Sequence, residues 1–136
     1  MNTIGKKNMI FGFVYLVITV ALGMFLANKL GSNNAEWINS GVRKVLKAAH
    51  AHGNLESVLN IIIGFLLCKY GSETRMLTRV ASVLAIVGAT FHSGMLFLSG
   101  LGVKAAYMLA PVGAISLLVA AILMVVILYK GVKEES

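Results

Sequence analysis

The chain has three histidines, and all of them lie in apolar surroundings: two in the run His50-Ala51-His52-Gly53-Asn54 and the third in Phe91-His92-Ser93-Gly94. Imidazoles set into segments apolar enough to enter a bilayer are costly unless something coordinates or pairs them, so they mark function by default. The chemistry they suggest is metal coordination, with a haem clamped between two helices as the leading candidate. His50 and His52 are two residues apart, about 200° around a helix, so a regular helix aims only one of them at a given iron. His52 is the better choice, because Glu56 and Asn60 follow it at i+4 and i+8. This polar stripe must face the bundle interior or another subunit, since facing lipid is expensive. His50 lies nearer the interface, where it could reach water, a haem propionate or a loop.

The elements that must position these residues follow from composition. With 58% hydrophobic and 12% charged residues in 136, the chain is far from the soluble average. Four apolar runs are long enough to cross a bilayer: residues 9–27, 48–67, 77–101 and 105–129. They leave no room for a soluble catalytic domain, so the reading is one all-α, four-transmembrane-helix bundle covering residues 1–136. Lys6 and Lys7 precede a run longer than a signal-peptide core, and the first span is therefore expected to be retained. If the second span starts near Lys47 and the third ends near Leu101, His52 and His92 lie roughly 7 and 13 Å from the same face. Both then sit in one leaflet, whichever way the protein is inserted.

Between the first two spans, Asn34 is placed to cap an interfacial amphipathic segment starting near Ala35, with Trp37 as a membrane-interface anchor. Tyr15, Tyr70, Tyr107 and Tyr129 are read mostly as interface anchors as well. Pro111 falls near the start of the fourth span, where its missing N–H costs little. Cys68 cannot form an internal disulfide and reads as a small buried or interfacial hydrophobe. The net charge of +7 flanks the spans, which points to headgroups rather than nucleic acid as the partner. Lys6, Lys7, Lys69, Arg75, Arg79, Lys130 and Lys133 fall on the side of the termini, against Lys29, Arg43, Lys44, Lys47 and Lys104 opposite. That distribution favours cytoplasmic termini, in a prokaryotic inner membrane. Gly53, Gly64, Gly88, Ala89, Ser93 and Gly94 cluster near the histidines, where they suit either a flat macrocycle or close helix packing.

The run HAHGNLESVLNIIIGF resembles the His-Ala-His-x-Asn segment of small membrane proteins related to haem-copper oxidase subunit I. Phe91-His92-Ser93-Gly94 is similar, more loosely, to the later helix of that subunit that carries the opposing haem ligand. The resemblance covers about the middle third of the chain. It implies His52 and His92 as the axial pair of a low-spin haem b and matches His50 to an extra histidine whose role is open, while Gly53 and Gly88, from the small residues near the histidines, are the further candidates for contact with the cofactor. It does not extend to oxygen or nitric oxide reduction, because the further histidines needed for copper and a second haem are missing. No Cys-x-x-Cys-His motif is present, so the haem would be held non-covalently.

The resulting expectation is a bis-histidine cytochrome b in electron transport, more an electron carrier than a complete enzyme, with an unidentified redox partner and a homo-oligomeric assembly. A five-coordinate iron would instead make a haem-based gas sensor. Two further readings use the same residues. His52 and Glu56, at i and i+4, could ligate iron or zinc alongside His92. Alternatively, Glu56 with Asn54, Asn60 and the histidines could form a proton or hydrogen-bond stripe in a small ion-conducting protein.

Overall fold

A computed structural model describes residues 3–72 and 76–135; Arg75, one of the charges on the side of the termini, lies outside them. Helix α1 (Ile4–Gly31) leads through a short α2 (Ala35–Asn39) to α3 (Gly41–Tyr70). Helix α4 (Met76–Ala89) passes through a π-helical turn (Thr90–Gly94) into α5 (Met95–Gly100), and a 3-10 turn (Lys104–Leu109) introduces α6 (Ala110–Glu135). Four stretches are long and apolar enough to cross a membrane, namely Ile4–Gly31, Gly41–Tyr70, Met76–Gly100 and Lys104–Gly131. The chain is an all-α four-helix bundle of the multi-pass membrane type.

Caps set the helix ends. Asn33 takes a left-handed backbone (φ 51°) just past α1, and the Asn34 side chain accepts a hydrogen bond from the Trp37 N–H at 2.9 Å to start α2. The amphipathic segment is shorter than its sequence pattern suggests. Ser40 ends it by capping α3, accepting from the Arg43 N–H at 3.1 Å, so Val42, Val45 and Leu46 belong to the second span. Helix α1 runs 28 residues and α3 runs 30, each beyond its apolar window. Hydropathy marks the part that fills the hydrocarbon layer, whereas the helix itself continues to its caps. Pro111 is the second residue of α6, where an N–H has no intrahelical partner to lose.

In lipid, helices associate through close packing and interhelical hydrogen bonds rather than apolar burial. Accordingly α1 packs along α3, α6 along α4, and the two pairs meet at α3 and the third span. Gly5 and Gly64 bring the backbones of α1 and α3 together so closely that a methyl at either would collide with the other helix. Two apolar clusters form, one from Ile63, Leu67, Ala81, Ala85, Ala120, Met124 and Ile127, the other from Leu22, Leu46, Ala49, Leu96 and Ala110. Between them, along α3, lies a polar layer running from His50 to Asn60.

At the first cluster's edge of that layer, Asn8 of α1 is fully buried and holds three helices together. Its amide donates to Asn60 Oδ1 (3.1 Å) and to the Ser82 carbonyl (3.0 Å), while Ser82 Oγ donates to Asn8 Oδ1 at 2.5 Å. Asn60 donates in turn to the Glu56 and Ala85 carbonyls at 3.0 and 3.1 Å. Every polar atom named here has a partner, as burial in an apolar medium requires.

Candidate metal centre

His92 sits in the π-helical turn, a wide turn that inserts an extra residue and is frequent at functional sites. The Ala89 carbonyl at its start has the Ser93 and Tyr15 hydroxyl oxygens 3.2 and 3.3 Å away, so polar side chains gather at the junction. The turn brings the His92 ring to His52 of α3, with ring centres 4.6 Å apart and planes inclined at 60°. Depth counted along the helices from the sequence placed the two histidines in one leaflet, and they are indeed neighbours.

Glu56, one turn below His52, is buried. Its Oε1 lies 2.5 Å from His92 Nδ1, and its Oε2 accepts from the Ser93 hydroxyl. Ser93 Oγ is also 2.8 Å from the Tyr15 hydroxyl. Since the single Ser93 proton goes to Glu56, Tyr15 is the donor to Ser93, and the hydrogen bonds run Tyr15 to Ser93 to Glu56. The carboxylate accepts from His92 Nδ1–H as well, and an ion that displaced that proton would lie between Nδ1 and the carboxylate, within reach of both. Among the described residues, His52, Glu56 and His92 form a group whose donor atoms, one from each, lie within 4.8 Å of one another.

A groove of about 560 Å³ opens beside this group. Lys44, Val45, Ala48 and His52 line it from α3, His92 and Leu96 from the third span, and Tyr107, Ala110, Pro111 and Ala114 from the fourth. His52 is exposed to it, and His92 is one-fifth exposed.

The other residues singled out in the sequence lie elsewhere. His50 turns away to α1, where its Nδ1 donates to the Thr19 carbonyl at 2.8 Å, and Thr19 Oγ1 donates to Asn54 Oδ1 at 2.6 Å. These bonds tie α3 to α1 and leave His50 and Asn54 outside the imidazole pair. Gly53 and Gly88 serve helix packing. A methyl at Gly53 would strike the Thr19 side chain, and one at Gly88 would strike Leu117 of α6, so neither faces the groove. Tyr15 is a correction to its reading as an interface anchor, because its hydroxyl bonds inside the bundle. The signal for it is on α1 itself, where Asn8, Gly12, Tyr15 and Thr19 recur at spacings of four, three and four and so share one helix face.

The expected haem sandwich meets a geometric obstacle. Two imidazoles trans on one iron, at metal–nitrogen bonds of about 2.0–2.1 Å, hold their ring centres roughly 6 Å apart on opposite sides of the porphyrin. His52 and His92 are closer than that and lie on the wall of a single groove, so a macrocycle does not fit between the rings as they stand. Two imidazoles adjacent on one ion bring their centres to roughly 4.5–5 Å at the same bond lengths, and this matches the observed pair.

No protein-family model, curated protein or solved structure matches the chain.

Proposed function

We propose that this membrane protein holds one divalent transition-metal ion on His52, His92 and Glu56. The observation that carries this reading is the mutual closeness of those three donors, within 4.8 Å, at the side of an open groove. Two imidazoles and one carboxylate with positions left open are the ligand set typical of non-haem iron(II), and zinc accepts the same donors. Ser93 and Tyr15 would fix the Glu56 carboxylate, which limits its freedom to turn away from the ion. The open coordination position would face the groove, where a ligand or substrate can reach it.

The test is metal analysis of the detergent-purified protein after loading with iron(II), cobalt(II) or zinc. One equivalent is expected in the wild type and in His50→Ala, and loss of binding in His52→Ala and His92→Ala with helicity by circular dichroism unchanged. Equal metal content in all four proteins would reject the assignment.

A second reading keeps a haem, bound by one imidazole and lying in the groove rather than between the rings. It is favoured by the apolar walls and by Lys44, which could receive a propionate. A strong visible haem spectrum in the purified protein, shifted by carbon monoxide, would select it over the ion.

A further inference from the structure

We infer that the groove between α3, the third span and α6 binds a single-chain fatty acid, with its carboxylate on Lys44 and the middle of its chain against His52 and His92. This goes beyond the metal reading and holds whether or not an ion is bound. On α3 the lining residues Lys44, Ala48 and His52 succeed one another at four-residue intervals, so they form one stripe about 12 Å long by helix rise. The groove thus runs along the helices from Lys44 and Tyr107 at one end to the imidazole pair at the other. Between these ends its walls are Val45, Ala48, Leu96, Ala110, Pro111 and Ala114. The alanines leave the space and the aliphatic side chains make the surface apolar.

Charge decides the kind of occupant. Lys44 is the charged residue of the lining, and it stands at one end; none of the lining residues is acidic. A molecule that complements this has a negative head, an apolar body that fills the groove and extends past the histidines, and no second charge to bury near them. A lysine can lay its apolar stem along a groove wall and keep its ammonium at the headgroup level, and the exposed Tyr107, which lines the same groove, carries a hydroxyl able to donate to a carboxylate. The volume lies within the range of small-ligand pockets, which suits one chain better than a two-chain phospholipid.

The test uses metal-free protein, so that failure of the metal assignment and failure of this one are separable. Binding of oleic acid, oleyl alcohol and dioleoyl phosphatidic acid is measured by displacement of a fluorescent fatty acid, and a fatty acid carrying a mid-chain photoreactive group is crosslinked and mapped by mass spectrometry. Saturable binding of one oleic acid is expected, weakened at least tenfold by Lys44→Ala, with the alcohol binding equally to both proteins. Ala48→Leu and Ala114→Leu should abolish binding of both ligands, and crosslinks should fall near His52 and Ala114. Absence of saturable binding, an equal loss for acid and alcohol in Lys44→Ala, equal binding of phosphatidic acid, or crosslinks scattered over the lipid-facing surface would each overturn the inference. So would a groove already filled by haem, detected by its visible spectrum.

Discussion

Glu56 is the residue on which the site turns, because its two oxygens bind different partners. Oε1 takes His92 Nδ1 and Oε2 takes Ser93, so one carboxylate fixes both the ring and the helix that carries it. Replacing it with glutamine preserves the volume but adds an NH₂ group where two donors already converge. Glu56→Gln is therefore expected to fold and to lose metal affinity by about 10–100-fold, the usual cost of disturbing a carboxylate that holds or orients a ligand. Titration with cobalt(II), followed optically, measures it. Unaltered affinity would mean that Glu56 is only interhelical glue. Part of this was readable without a structure. His52, Glu56 and Asn60 share a helix face by spacing alone, and the separation of His50 from His52 followed from helical geometry. The role of Ser93 was not readable, and that of Tyr15 only as membership of one polar face of α1, since what each touches depends on how α1 and the third span are rotated about their axes. Hydropathy carries little of that information when all faces of a helix are apolar.

At the scale of the elements, the π-helical turn over Thr90–Gly94 is what aims His92. The residue types of Thr90–Gly94 do not signal it, because such a turn depends on the side chains and helices packed around it. Deleting Thr90 would remove the extra residue and restore a regular helix, leaving the flanking segments near their present phase and re-aiming the residues of the turn itself. His92 would then leave its place beside His52 and Glu56. The expected outcome is a helical, membrane-inserted protein with lower thermal stability and no stoichiometric metal, whereas retained metal binding would show that the wide turn is dispensable. The caps, by contrast, were legible. Asn34 begins a helix at Ala35, as its side-chain chemistry implies, and only the length of that helix was misjudged, because Ser40 supplies a second cap six residues later. Asn8 is the other element-scale link. Asn8→Ala removes the donor to Asn60 and the partners of Ser82, and an interhelical network of this kind in a membrane is worth about 0.6–2 kcal/mol. Unfolding in mixed micelles should show a loss of that size, with metal binding intact because the site lies one turn away.

For the whole molecule, the arrangement of polar and apolar layers bears on ion conduction, the remaining role that Glu56 and the histidines suggest. The polar layer is reached from one side through the groove, where His52 is exposed. Towards the termini it ends at Asn8, Asn60 and Ser82, whose hydrogen bonds are satisfied among themselves and with backbone carbonyls. Beyond them Ile63, Leu67, Ala81, Met124 and Ile127 are buried and form an apolar cluster across α3, α4 and α6. A proton that entered by His92 and Glu56 would have to pass this apolar cluster, where a bare charge is very costly. Proteoliposomes containing the protein are thus expected to take up protons under an imposed potential no faster than protein-free vesicles, as followed with a trapped pH dye. Flux above that background, abolished by Glu56→Gln, would convert the polar layer from a one-sided binding site into a transmembrane path. A dead-ended polar layer beside a groove fits a protein that holds something within one leaflet rather than one that passes it across.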